Sequence, residues 1–213
     1  MKSIYFSGTD ILQLEPRLRA ALINSLSGFK SASLIGTIDN KRNTNLAIFS
    51  SVFHLGSNPA FIGFVIRPDS VSRHTLENLL ETKCFTINHI NKDIYKRAHQ
   101  TSARYPKNIS EFDSVGLTME FGKRFLAPYV KESKIKYGLE LAERLDLKMN
   151  GTVLIIGKVV ELIIPENCFL TNGAIDIEKA ESIAISGLDS YHSTKLLSRL
   201  TYAKPEKLPE EIL

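Results

Sequence analysis

Ser72-Arg73-His74-Thr75 stands where an apolar helical stripe begins. A helix start presents backbone N–H groups without intrahelical partners, together with the positive end of the helix dipole, and both favour an anion. Arg73 adds a permanent charge on a forked donor set, and Ser72 and Thr75 add hydroxyls. This is the chemistry of a phosphate cradle. The same residues also read as a plain serine cap beside a solvated arginine. A second group lies upstream, in NLAIFSSVF, Asn45 to Phe53, where adjacent Ser50 and Ser51 interrupt an apolar run. Polar groups at the end of a strand, walled by hydrophobic side chains, suit the rim of a flat aromatic ligand. The alternative is a β-bulge whose serines satisfy nearby backbone groups.

Other chemistry is missing. The sequence has no GxGxxG after a strand, no GxxxxGK[ST], no HExxH and no GxSxG. The five histidines, His54, His74, His89, His99 and His192, have no metal-ligand spacing, and each alone reads as an ordinary polar or core residue. No metal site is expected, and no catalytic acid, base or nucleophile can be assigned. Cys84 and Cys168 lie far apart, outside any CxxC or zinc spacing, and read as reduced thiols of a cytoplasmic protein.

The elements that must position these residues follow from periodicity and turn chemistry. Residues 1–13 read as an arm with some β character. Leu14, Leu18, Ala21, Leu22 and Leu26 recur at helical steps, with Pro16 at the start and Gly28 at the stop. This predicts an amphipathic helix over Glu15–Ser27 that covers one end of a core. Strands are expected at Ser31–Ile38 and Thr44–Phe49, joined by the polar turn DNKRN into a hairpin. After Ser57-Asn58-Pro59, an apolar strand spans Phe61–Ile66 and ends at Arg67-Pro68-Asp69. A helix follows over Ser72–Thr82, then a strand at Cys84–Ile90 and a short helix at Lys92–His99. Residues 100–134 are irregular, with a strand or two. Leu139–Leu147 fits helix or strand, and Thr152–Ile164 is a long β-branched strand whose Gly157 marks a bulge. The chain is turn-rich from Pro165 and ends in a charged, extended tail from Pro205. Hairpins without strict βα alternation predict an antiparallel barrel or sandwich with helices at its ends.

With 213 residues, 43% hydrophobic and 23% charged, the chain has the composition of a soluble globular protein. No repeat or composition break divides it, so one domain over 1–213 is expected. The formal net charge is +4. It is spread rather than clustered, and no basic patch with interleaved aromatics points to nucleic acid. The N-terminus, MKSIYFSGTD, lacks an apolar h-region, so no signal peptide is expected, and no apolar run is long enough to span a bilayer. A cytoplasmic protein without membrane partners is expected.

The features above, in this order, resemble the flavin reductase-like family of FMN-binding split-barrel proteins. The resemblance is carried by Asn45, Ala47 and Ser50 with Phe53 nearby, by Asn58-Pro59, Phe61–Ile66, Thr75 with Asn78, and Phe85 with Asn88. QTSARYPKNISEFDSVGL and GTVLIIGKVVEL extend it, to cover about residues 27–165. The chain departs from the family pattern at Asn58-Pro59-Ala60, which has one proline where many members have two, and at His74, where Lys, Arg or Asp is usual. The resemblance implies a mainly β fold, an antiparallel Greek-key split β-barrel with a few peripheral helices, followed by a C-terminal extension over 166–213. It implies FMN as cofactor, bordered by Asn45 and Ala47, with Ser50, Ser51 and the amides near Val52 and Phe53 on its polar edge. It places the phosphate at Ser72, Arg73, His74 and Thr75, and His89, Ser102 and Arg104 at the pocket margin. It implies NAD(P)H as electron donor and a homodimer whose partner chain completes the site. Hydride transfer to the flavin needs no visible general base, because the cofactor carries the chemistry. Two other readings stay open: an FMN-holding electron carrier, flavoredoxin-like, and a non-flavin binding module.

Overall fold

The structure, a computed structural model, describes residues 2–68, 72–123 and 125–212. Asp69, expected to help end a strand, lies outside them. The N-terminal arm differs from expectation. Residues Gly8–Gln13 form a helix, α1, because Ser7 and Asp10 make a reciprocal capping box. Helix α2, Pro16–Ser25, has the proline in its first turn as the sequence implied, and the Glu15 carboxylate caps it, but it buries none of its residues. Leu18 and Leu26 face outward, so the apolar stripe covers no core of its own chain.

A short strand β1, Lys30–Ser31, precedes the hairpin of β2, Ser33–Ile38, and β3, Thr44–Phe49. The turn between them is fixed by Asp39, whose carboxylate accepts from the Lys41 and Asn43 amides and from the Asn43 side chain. Strand β4, Phe53–Ser57, was not foreseen, and it forms a second hairpin with β5, Ala60–Ile66. Helix α3, His74–Thr82, leads through Lys83, in the left-handed region, into β6, Cys84–His89. Helix α4, Tyr95–Gln100, leads into the segment read as irregular, 100–134, which holds a short helix α5, Glu111–Val115, and two short strands, β7, Met119–Glu120, and β8, Tyr129–Val130. The ambiguous Leu139–Leu147 is a strand, part of β9, Lys136–Leu147, paired with β10, Thr152–Ile163. The expected irregularity at Gly157 is present as a register shift. A Cβ there would strike the Phe85 ring 2.5 Å away, so glycine is what lets the core ring pack against β10.

One antiparallel sheet runs β3-β2-β6-β9-β10-β5-β4. It curls so that Phe49 of β3 meets Phe64 of β5 edge-on, with ring centroids 5.1 Å apart. Inside lie Ile35, Phe64, Phe85, Ile87, Leu139 and Ile155. A second core outside β2 packs Leu34, Leu46 and Ile90 against α4 and α5. The architecture is the mainly β, antiparallel split barrel with a few peripheral helices that the sequence implied. The C-terminal residues add β11, Ala184–Ser186, and β12, Ser190–His192, which sit beside β1, and a small ribbon of β13, Arg199–Leu200, with β14, Glu211–Ile212. Among the described residues no helix is long and apolar enough to cross a membrane.

Candidate functional site

The two serines of the opening stretch part company. Beyond the reach of β4, Val65 of β5 has an uncovered edge. The Ser51 hydroxyl fills it, donating to the Val65 carbonyl at 3.0 Å and accepting from the Val65 amide at 3.1 Å. One side chain thereby imitates a paired strand residue and stitches the end of β3 to β5. Ser31 fixes the same turn from the other side by donating to the Val52 carbonyl. Ser50 is the partly exposed residue between. Among the described residues its hydroxyl has no partner, and the amides of Ser50, Ser51 and Val52 donate no intramolecular bond. Backbone donors held on a fixed, half-buried turn are a ready site for carbonyl or anionic oxygens. Phe53 begins β4 with its ring lying on Gly63, where a Cβ would overlap it, and stays 40% exposed.

At the other end of β3 the polar groups face one another. The Asn45 side chain donates to the Thr75 hydroxyl at 3.0 Å and, at 3.4 Å, to that of Thr37, which also accepts from Asn78. All four are buried, and they fasten α3 to the β2–β3 hairpin. The Asn78 Oδ1 stays buried without a partner among the described residues, an orphan acceptor that a bound hydroxyl or water would satisfy. Ala47, between Asn45 and the turn, is partly exposed.

The start of α3 lacks the serine cap. Arg73 is the residue at the cap position and makes no side-chain cap bond. Ser72 donates instead to the Glu77 carboxylate at 2.6 Å, and the Arg73 guanidinium folds back to the Pro68 carbonyl. Among the described residues the first amides of the helix have no partner, as an anion site requires. Glu77 also pairs with Lys107. Those hydrogen bonds from Lys107 and Ser72 hold its carboxyl below the usual range.

Sequence reasoning missed Glu111. Its buried carboxylate accepts from the outer-edge amide of Leu46 at 2.9 Å. Burial raises its pKa, while the Leu46 bond and nearby His74 oppose the rise. Glu111 thus secures the edge of β3 between the two polar groups. Glu111 falls within QTSARYPKNISEFDSVGL, but it opens a helix of five residues, too short to show a period that would mark it as buried.

The structure brings Asn45, Ala47, Thr75 and His74 to one side of β3, and Ser50, Ser51, Val52 and Phe53 to its exit. Arg73 and Ser72 lead into the same helix. His89 is set apart. It lies across β2 from Phe49, directs Nδ1 to the Ser182 hydroxyl, and packs on Tyr137. Burial lowers its pKa to about 4, so it is a neutral side chain under the C-terminal segment. Ser102 and Arg104 are exposed on the loop after α4, which Lys107 ties to α3 further on. Among the described residues no His, Cys, Asp or Glu cluster could hold a metal ion.

The donor set fits a flavin. Open amides at the β3 exit match its polar edge, and the uncapped helix start, with hydroxyls nearby, matches a phosphate. Known proteins of this shape agree. A split-barrel protein of Shewanella frigidimarina NCIMB 400, described as a flavin reductase, is 52% identical. The match covers 94% of this chain and all of that one, with a TM-score of 0.91. Nitrilotriacetate monooxygenase component B of Bacillus cereus shares the fold at 18% identity and a TM-score of 0.83, over 94% of this chain and 100% of its own. Flavoredoxin of Desulfovibrio vulgaris (Miyazaki F) does so at 22% and 0.70, over 84% and 91%. Residues 27–174 match the model of the flavin reductase like domain, and the chain belongs to that family.

Proposed function

We propose that this chain is an NAD(P)H-dependent oxidoreductase that holds FMN at the exit of β3, acting as one domain over 1–213 with its core at about 27–165 and an extension at 166–213. The observation that carries the reading is the turn at Ser50–Val52. Its amides are open while Ser51 and Ser31 lock its position. FMN, when bound, supplies the hydride-accepting ring, so the protein needs to bind and orient rather than to contribute a base. In this reading the amides of Ser50, Ser51 and Val52 and the Ser50 hydroxyl hold the polar edge of the ring. Ala47 and Phe53 border its apolar parts. The open amides of α3, with Thr75 and Arg73, take the phosphate, and Glu111 keeps β3 from shifting beneath the ligand.

The same reading includes a second copy of the chain as partner. Ile4, Tyr5, Leu18, Leu26, Leu197 and Tyr202 are all exposed on the terminal segments, and this much exposed apolar surface supports a protein partner. Buried, unpaired Cys84 and Cys168 suit a reducing compartment such as the cytoplasm.

The test is an absorption spectrum of the FMN-incubated protein from the near-ultraviolet to the blue, repeated after anaerobic NADH and then NADPH. Bleaching by either nucleotide is expected and names the donor. A yellow protein that neither nucleotide bleaches would make it an electron carrier. A protein that gains no spectrum from FMN would remove the flavin reading altogether.

A further inference from the structure

The loop from Thr101 to Ser110 is fastened at both ends. Thr101 is buried and donates to the Ala98 carbonyl. Ser110 bonds the Thr44 hydroxyl at 2.9 Å, and the next residue, Glu111, holds the Leu46 amide. Between these ends, residues 102–104 and 106–109 are exposed. Among the described residues, the one hydrogen bond from 102–109 to anything beyond the loop and α4 runs from Lys107 to Glu77 of α3.

That tether is shared. Glu77 accepts from Ser72 through Oε1 at 2.6 Å and from Lys107 through Oε2. Ser72 precedes Arg73, the cap residue of α3, and the first amides of the helix have no partner among the described residues. Asn78 on the same helix adds a buried acceptor, Oδ1, without a partner among the described residues. Lys107 also faces Asp39 and Glu81, and His74 stands close to Glu77. The pair is half exposed, Lys107 at 49% and Glu77 at 40%, and an ion pair in such a position holds weakly. A further negative charge nearby therefore changes how firmly the loop is held.

We infer that Glu77 is a positioning residue that makes the 101–110 loop respond to a phosphate at the start of α3, an inference that rests on the flavin reading above. The Ser72 hydroxyl has one proton to donate. A phosphate takes it, Glu77 is left with Lys107 alone, and the added negative charge holds the Lys107 ammonium more tightly. The loop, which carries Ser102 and Arg104, is then fixed against α3. By linkage, the tether raises affinity for a phosphate-bearing flavin by the factor with which the phosphate steadies the loop. Riboflavin, which has the ring and no phosphate, gains nothing from it.

Trypsin reads the loop, because Arg104 is exposed on it. Cleavage after Arg104 is timed by mass spectrometry for the parent chain and for Glu77→Gln, each alone, with saturating riboflavin and with saturating FMN. Melting curves check that the variants fold. FMN should slow the cut of the parent about fivefold or more relative to riboflavin, and Glu77→Gln should lose most of that difference. Fluorescence titration of Lys107→Met gives the reciprocal measurement. FMN affinity should fall about fivefold while riboflavin affinity stays, and Lys107→Arg should restore FMN. Equal protection by the two flavins, a difference that survives Glu77→Gln, or an unchanged FMN affinity in Lys107→Met overturns the inference and leaves the flavin site standing. If the parent binds neither flavin, the flavin reading fails and the link fails with it.

Discussion

The two ends of β3 carry similar polar residues and treat them in opposite ways. At its start, Asn45, Thr37, Thr75 and Asn78 bond one another and are buried. At its exit, Ser51 and Ser31 bond the backbone so that the neighbouring amides stay open. Residue type does not separate the two ends, since hydroxyls and amides occur at both. What separates them is whether the chain already supplies each group's partner. Engaged groups contribute to stability, because removing one strands a buried partner. Open groups contribute little to folding and are available to a ligand.

That contrast can be broken by substitution. The largest effect is expected for Ser51→Ala, which leaves the Val65 amide and carbonyl unpaired. It should cost about 1–3 kcal/mol in urea unfolding and loosen the turn enough to weaken FMN binding as well. An unchanged midpoint would sink the seam argument. Asn45→Ala comes next, at about 1–2 kcal/mol, and should lower stability more than it lowers FMN affinity. If binding were lost with stability intact, Asn45 would belong with the open groups.

His89 sharpens the comparison through pH. Its folded pKa, lowered by burial to about 4, lies below the ordinary imidazole value of 6.5. Its contribution is therefore present above the unfolded value and is lost as pH falls from about 6.5 toward 4, on the order of 1 kcal/mol by pH 5.5. His89→Gln, which can still reach Ser182, should flatten that part of the stability–pH curve. Curves of equal slope would show that His89 is not buried neutral. The smallest stability effect belongs to Ser50→Ala, within about 0.5 kcal/mol. Its expected signature is weaker FMN binding in a spectrophotometric titration. A large drop in melting temperature would place Ser50 among the engaged groups.

The sequence revealed elements wherever one period ran long enough. β10 and the β2–β3 hairpin were legible from β-branched runs and polar turns, and α3 from its leucines. β4 was not, because Phe53–Ser57 is an edge strand with mostly exposed side chains and a bulge between His54 and Gly56. For the helix α1 the S-x-x-D of Ser7–Asp10 is a capping pattern, but too little apolar periodicity follows it to mark a helix. The stripe of α2 was read correctly as apolar and wrongly as core-covering, since periodicity says that a face seeks burial but not against what. At the site, the residue types near β3 were legible as a set. The division of labour between Ser50 and Ser51 was not, because it depends on Val65, fourteen residues away and uncovered only by the short reach of β4. Glu111 reaches Leu46 from 65 residues away, across three strands and two helices.

The Ser51 stitch also makes Val65 a natural reporter. An amide held by a ladder of strands exchanges its hydrogen with solvent mainly when the barrel unfolds. An amide held by one side-chain hydroxyl is released whenever that turn swings away. Val65 should therefore exchange faster than its neighbour Phe64 deep in the core, and a ligand that grips the turn should slow it. One backbone proton on β5 would then read the motion of a loop that belongs to β3.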